Sequence, residues 1–119
     1  MILASFDLET VSELNQAEHW IRRHKRTKLQ KQVTAAMLAA SGFDPEALLA
    51  TPGRVITLTR IARGTLDEGD NLASSMKHVR DAVAAWFNVD DGPKGPLKWA
   101  YAQEHTRSPL GKVRIEVGA

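Results

Sequence analysis

The chain has 119 residues, a length that suits one compact domain, and its 43% hydrophobic residues are enough for one core and not for two. It contains no cysteine, which excludes disulfide bonds, thiol nucleophiles and cysteine-ligated zinc or iron–sulfur sites. No apolar run approaches the roughly 20 residues of a membrane span, and the N-terminus has no basic signal-peptide lead, so we expect a single cytoplasmic domain without membrane contact.

The net charge of +2 hides an uneven distribution along the chain. Residues 1–18 contain acids and no base, whereas residues 19–43 contain bases and no acid. Such a basic block predicts contacts with a polyanion, because each Lys or Arg that meets a phosphate releases condensed counterions; the alternative is a solvated helix face or a flexible arm. The basic residues of this block are Arg22, Arg23, Lys25, Arg26, Lys28 and Lys31.

The first predicted elements are a strand and a helix. Apolar and polar side chains alternate over residues 2–11, which is typical of a strand with one face in water. The second half of residues 12–42 predicts a helix that stops at Gly42, and the basic first half is either helix or ordered loop. The residues expected to share one strand face are Ile2, Ala4, Phe6, Leu8 and Thr10. The apolar residues at helical spacing are Leu29, Val33, Met37 and Ala40.

The middle of the chain predicts a connection and a second strand. Residues 43–53 are rich in turn formers, and Asp44 is expected to cap a turn that begins at Pro45. Residues 54–63 are β-branched and predict the strand.

Residues 71–87 predict one amphipathic helix that begins at Asp70 or Asn71. Its apolar side chains recur three or four residues apart, so we expect them to face the core. They are Leu72, Met76, Val79, Val83 and Trp86.

The C-terminal residues predict two further strands, at 97–103 and 111–117, which residues 104–110 join as a terminal hairpin. The predicted fold class is therefore α+β, a single domain of order β-α-β-α-β-β in which two main helices cover a mixed β-sheet.

The strongest chemical signal is the acidic cluster of Asp67, Glu68 and Asp70, between the second strand and the helix. A helix N-terminus favours negative charge, which explains one carboxylate as a cap but not three. Closely spaced carboxylates are either left to water or share a cation. Because Mg²⁺ binds one or two carboxylates together with substrate phosphate, this cluster and the basic block together predict metal-dependent phosphodiester cleavage.

The polar face of the predicted helix carries Lys77 and Asp81. The Cα of Lys77 lies about 10 Å from that of Asp70 on a regular helix, so its side chain is within reach to neutralise charge on a phosphate or leaving oxygen. Asp81 lies about 16 Å along the axis from Asp70 and is expected to form a salt bridge or a contact within the fold instead. Trp20, beside the basic block, is expected to be a hydrophobic anchor, with stacking on a base as the alternative.

The motif "LDEGDNLASSMKHVRDAV", followed by "VDDG", preceded by "VITLTR" and closed by "LKWAYAQ" and "GKVRIEV", resembles the RusA-type Holliday junction resolvases and their phage and prophage relatives. The resemblance covers most of the chain. It implies a homodimeric endonuclease that depends on Mg²⁺ or Mn²⁺, needs no small-molecule cofactor, and introduces symmetric nicks into branched DNA at four-way junctions.

The resemblance also implies residue roles. Asp67, Asp70 and Asp91 are the implied catalytic aspartates, and Lys77 assists them. Glu68 and Gly69 separate Asp67 from Asp70, where the family usually has one residue, so either Asp67 or Glu68 fills the second ligand position. Asp91 fits better than Asp90 as the last acid. The implied metal ligands are Asp67, Glu68, Asp70, Asp90 and Asp91, and the basic block is the implied DNA-binding segment. By position, the bases that flank the acidic turn and the "DDG" loop are further candidate phosphate contacts, with plain surface as the alternative for each: Arg60, Arg63, Lys94 and Lys98.

Distance restricts the role of Asp91. A helix over 71–87 spans about 25 Å and four extended residues return about 13 Å, so Asp91 stays about 12 Å or more from Asp70 in a straight arrangement. We therefore expect the helix to end early or bend, or the cluster to be completed across a two-fold dimer interface. The rival hypothesis is a non-catalytic nucleic-acid-binding or structural module in which the acids only cap the helix.

Overall fold

The computed structural model describes residues 1–15, 19–68 and 70–118. In these residues a four-stranded mixed sheet is covered on one face by helices, which confirms the predicted α+β class. No helix in the described ranges has the length and apolar character to cross a membrane. The elements in chain order are β1 (Ile2–Asp7), a 3₁₀ turn (Glu13–Asn15), α1 (Trp20–Ala39), α2 (Pro45–Leu49), β2 (Val55–Ala62), α3 (Asp70–Ser75), α4 (Lys77–Phe87), β3 (Lys98–His105) and β4 (Lys112–Gly118).

The sheet order is β1-β4-β2-β3, so the predicted terminal hairpin is wrong. Both predicted strands exist, but β2 lies between them, parallel to β3 and antiparallel to β4. A parallel pair needs a long crossover, and the helical segment between β2 and β3 supplies it. The chain then crosses the end of β2, where the Thr106 amide donates to the Ala62 carbonyl at 3.1 Å and Arg63 Nε donates to the Arg107 carbonyl at 3.0 Å.

Strand β1 departs from simple alternation at its start. The pairing register with β4 shifts between Ile2 and Ala4. The irregularity turns both Leu3 and Ala4 toward the core and leaves Ile2 54% exposed, so the predicted inward position of Ile2 is wrong. Phe6 continues the expected buried face.

Helix α1 extends through the whole basic segment, which resolves the choice between helix and ordered loop. Its buried face lies one position away from the predicted apolar line. Leu29 is 57% exposed, whereas Gln30 is buried and its Nε2 donates to the Glu9 carbonyl at 2.9 Å. Thr34 and Leu38 continue this face one and two turns later. Val33 and Met37 of the predicted line are partly buried against the core, so the prediction is confirmed there and wrong at the exposed Leu29 and Ala40.

The predicted helix over 71–87 is divided in two at Met76, whose φ of −103° and ψ of 5° leave the helical region. The Ser75 hydroxyl donates back to the Leu72 carbonyl at 2.7 Å, a contact that bends helices. The Met76 amide donates to the Ala73 carbonyl at 3.1 Å, which tightens the last turn of α3. The predicted core stripe is nevertheless buried through both helices, apart from Trp86, which is half-buried.

The connection after α1 is confirmed. The Asp44 carboxylate accepts from the Glu46 amide at 3.0 Å, and Pro45 occupies the first turn of α2. Gly42 has a φ of 82°, a left-handed conformation that suits the end of α1.

Candidate functional site

The acidic turn, defined as Asp67, Glu68 and Asp70, lies at the surface, and all three side chains are exposed. Helix α3 begins at Asp70, as predicted. The Leu72 amide donates to the Asp67 carbonyl at 3.1 Å, and Asn71 Nδ2 donates to Asp67 Oδ2 at 2.5 Å. The backbone of the turn is therefore fixed to the start of α3, while its carboxylates face solvent.

Two neighbouring segments hold the acidic turn in place. On one side Leu66 exchanges hydrogen bonds with the Gln103 amide group on β3, at 3.0 and 2.6 Å. On the other side the Ser12 hydroxyl donates to Asn71 Oδ1 at 2.5 Å, and the Leu14 amide donates to the Ser74 hydroxyl at 3.1 Å. The turn is thus tied to the sheet and to the segment that precedes α1.

The basic block divides between structural and surface positions. Arg26 binds Glu13 through two hydrogen bonds, Nε to Oε1 at 2.9 Å and Nη2 to Oε2 at 2.8 Å, and both side chains are less than one-fifth exposed. Lys31 lies 3.6 Å from Asp81, which confirms the salt bridge expected for that aspartate. The remaining members are exposed on α1, and they are Arg22, Arg23, Lys25 and Lys28.

Arg60 and Arg63 border a cleft of about 550 Å³ between the end of β2, the loop before β4 and α1. Arg60 Nε donates to the Thr10 hydroxyl at 3.1 Å and its Nη1 donates to the Gly64 carbonyl at 2.8 Å. Burial lowers the pKa of Arg60. Arg60 therefore supports the loop that leads into the acidic turn, and Arg63 is the more exposed of the two.

The predicted last acids lie in a tight loop after α4. Asp90 Oδ1 accepts from the Gly92 amide at 3.0 Å, and the Gly95 amide donates to the Gly92 carbonyl at 2.9 Å. Asp91 is paired with Arg80: its Oδ2 lies 3.5 Å from Arg80 Nε, and its carbonyl accepts from Arg80 Nη2. Arg80 is not recognisable as a site residue from the sequence, because its partners come from the loop and from β3.

The predicted metal ligands are not assembled into one group within the chain. Asp67, Glu68 and Asp70 share one turn, whereas Asp91 lies with Arg80. Among the described residues no three acidic, histidine or cysteine side chains come close enough to hold a metal ion together. The break at Met76 agrees with the expected bend, yet it does not bring the acids into one cluster.

The donor chemistry of the acidic turn fits a hard cation. Exposed carboxylate oxygens are the ligands that Mg²⁺ prefers, and one or two of them are sufficient when substrate phosphate completes the shell. Lys77, the first residue of α4, is exposed. The acidic turn thus offers carboxylate oxygens from one segment, and among the described residues Asp91 is not grouped with them.

A buried polar cluster, also missed from the sequence, joins α4 to α1. His78 Nε2 lies 3.0 Å from the Thr27 hydroxyl and 3.8 Å from Glu13 Oε1. Burial lowers the pKa of His78, an effect that the nearby Glu13 and Asp81 carboxylates oppose. Within the part of the chain that is described, His78 Nδ1 is buried without a hydrogen-bond partner.

Trp20 begins α1 and is 70% exposed, so its expected role as a hydrophobic anchor is wrong for the single chain. Its ring stacks on His19, with centroids 5.7 Å apart and an interplanar angle of 29°. The exposed Arg22 lies two residues further along α1. An exposed aromatic ring beside cations has the chemistry that stacks on nucleobases.

Comparisons of the chain with models of protein families, with curated proteins and with solved structures find no match.

Proposed function

We propose that this protein is a metal-dependent, structure-selective DNA endonuclease that resolves four-way junctions in the manner of the RusA-type resolvases. The observation that carries the proposal is the exposed acidic turn, whose helix α3 is connected to the basic helix α1 through the segment that precedes α1. Hydrogen bonds from Ser12 and Leu14 tie α3 to the segment before α1, and Glu13 in that segment binds Arg26 of α1. One connected set of hydrogen bonds therefore joins the helix that begins with the carboxylates to the helix that carries the exposed bases.

In this proposal the residues of the chain divide the work. Asp70, with Asp67 or Glu68, would hold a magnesium or manganese ion, which when bound neutralises charge on the scissile phosphate and activates water. Lys77 would stabilise negative charge that develops on the phosphate or the leaving oxygen. The exposed bases of α1 bind the DNA backbone without reading its sequence, which suits an enzyme that recognises branched shape.

The test is nicking of a synthetic four-way junction and of a linear duplex with the same arm sequence, with and without Mg²⁺ or Mn²⁺. We expect paired nicks in the junction that require metal. Asp70→Asn should lower the rate by roughly a hundredfold or more, because loss of the metal's charge stabilisation amounts to several kcal/mol. Glu46→Gln, which removes an exposed carboxylate on α2, is the matched control and should nick at the wild-type rate. Metal-dependent nicking that survives in Asp70→Asn would refute the assignment.

A homodimer is part of the proposal, because two-fold symmetry would match two symmetric nicks. The separation of Asp91 from the acidic turn supports a test by mixed dimers. If Asp91 of one chain serves Asp70 of the other, a dimer of one Asp70→Asn and one Asp91→Asn chain regains one intact site. If both act within one chain, the mixed dimer has none. Light scattering on the purified protein measures the dimer itself, and a monomer that still nicks both strands would refute it. A cytoplasmic location also belongs to the proposal and follows from the DNA substrate.

A second candidate function is a nucleic-acid-binding module without catalysis. It is favoured by the pairing of Asp91 with Arg80 and by the hydrogen bond from Asn71 to Asp67, which give two of the acids structural roles. Junction binding that is independent of metal, with no nicking by any variant, would support this alternative.

A further inference from the structure

Arg80, on α4, contacts both the loop that carries Asp90 and Asp91 and strand β3. Its guanidinium carbon lies 4.7 Å from the centroid of the Trp99 ring, and its Nη1 donates to the Tyr101 hydroxyl at 2.8 Å. Its Nη2 donates to the Asp91 carbonyl, and its Nε lies 3.5 Å from Asp91 Oδ2. One side chain therefore contacts the loop twice and the sheet twice.

The chemistry of these contacts requires arginine. A planar guanidinium stacks on an aromatic ring and at the same time directs separate N–H groups to several acceptors. A lysine ammonium in the same place has no plane to stack and no fixed fork. The side chain is only one-quarter exposed, so these contacts are formed largely out of water.

The contact with the Asp91 carbonyl has a different consequence from the contact with its carboxylate. The carbonyl bond holds the loop backbone whatever the side chain does, whereas the 3.5 Å carboxylate contact is longer than a good charge-assisted hydrogen bond. The Asp91 side chain can thus turn toward another cation while its backbone stays attached to α4. Arg80 also lies one helical turn after Lys77, so the loop is fixed relative to that lysine.

From this geometry we infer that Arg80 is a positioning residue for Asp91: it holds the loop backbone beside α4 and thereby fixes where the Asp91 carboxylate is presented. The inference rests on the proposed function, because it gives Asp91 a task in the endonuclease.

The first test needs neither metal nor DNA. The Gly92 and Gly95 amides are hydrogen-bonded inside the loop and report its order by hydrogen exchange. We expect Arg80→Gln to speed the exchange of these two amides roughly tenfold, which corresponds to the net free energy of about one hydrogen bond. Arg80→Lys should restore only part of the wild-type protection. Arg114→Gln is the matched control, since Arg114 also binds two acids, Glu104 and Glu116, but lies on β4. Unchanged exchange in Arg80→Gln overturns the inference.

The second test asks whether Arg80 acts through Asp91. On junction DNA, Arg80→Gln should lower nicking 10- to 100-fold, roughly the effect of removing a residue that orients a metal ligand, and should raise the Mn²⁺ concentration needed for half-maximal rate. The double variant with Asp91→Asn should nick no more slowly than Asp91→Asn alone, because Arg80 acts only through Asp91. Losses that multiply would make Arg80 a general structural residue and overturn the inference. Melting temperatures identify a variant that fails to fold, and Arg80→Lys then replaces Arg80→Gln in the cycle. If the wild-type protein itself never nicks, the proposed function fails and the catalytic role of Arg80 fails with it, although the exchange result still reports the loop.

Discussion

Substitution of Gly95 by alanine is expected to disrupt the loop that carries Asp90 and Asp91. A Cβ at this position would lie 2.0 Å from the Asp90 carbonyl oxygen and 3.2 Å from the Gly92 carbonyl oxygen. Both neighbours are backbone, so neither can rotate away, and the loop must move by roughly 1 Å to reach an ordinary contact distance. We expect a loss of about 1 to 3 kcal/mol in the free energy of unfolding, which is typical of overpacking.

For a domain of this size, each kcal/mol lowers the melting temperature by about 4 °C, so Gly95→Ala should melt about 4 to 12 °C below the wild type. Circular dichroism at fixed pH and salt measures this shift. Gly64→Ala is the matched control, because a Cβ there meets nothing within 4 Å and the residue precedes the other acidic segment. It should leave the melting temperature within about 2 °C of the wild type. On junction DNA, Gly95→Ala should also lower nicking, whereas Gly64→Ala should not.

The reasoning would be refuted if Gly95→Ala melted with the wild type and left the Gly92 amide as protected as before. That result would mean that the loop has room to absorb the methyl group. A lower melting temperature together with unchanged nicking would keep the packing argument and would remove Asp91 from the site.

Three further predictions concern the contacts around α1. Glu13→Gln should lower the free energy of unfolding by about 1 to 3 kcal/mol in chemical denaturation, because it removes the charge from the acid that binds Arg26 through two largely buried hydrogen bonds; a loss no larger than that of the exposed Glu46→Gln would contradict this. Stability should fall as pH drops from about 6.5 toward the lowered pKa of His78, since the unfolded chain takes up the proton first, and His78→Gln should flatten that part of the pH profile. Lys25→Gln should weaken binding to junction and duplex alike and reduce the slope of log affinity against log salt by about one, and an unchanged slope would remove Lys25 from the DNA interface.

Local signals in the sequence were sufficient for much of the fold. The cap at Asp44, the start of α3 at Asp70 and the stripe through Val79 depend on residues close in sequence, and all are confirmed. The pairing of β3 and β4 was wrong because it depends on which strand enters between them, and nothing within the two strands encodes that choice. The two strands run in opposite directions, as the strands of a hairpin do, but β2 lies between them.

The site was predicted less completely, for a similar reason. The acidic turn is contiguous and therefore visible in the sequence. Arg80 is recognisable only when Trp99, Tyr101 and Asp91 are seen around it, and these lie on a strand and a loop that the sequence does not align with α4. Arg26, by contrast, was visible as a base, but its burial against Glu13 was not. Charge is evident from residue type, whereas its use depends on tertiary partners.

In the described part of the chain, contacts within the fold account for only one of the three carboxylates of the acidic turn. The two carboxylates without such contacts favour a functional role for the turn. Asp67 accepts a hydrogen bond from Asn71, so it has a structural task at the start of α3. Among the residues that the structure describes, neither Glu68 nor Asp70 forms an ion pair, and both are exposed. Helix α3 has only 6 residues, so its backbone dipoles can be balanced by one carboxylate at its start. Further carboxylates at the same place repel one another. In the proposed function a cation bound by these carboxylates would stabilise the folded chain, so Mg²⁺ should raise the melting temperature of the wild type and Asp70→Asn should abolish that rise.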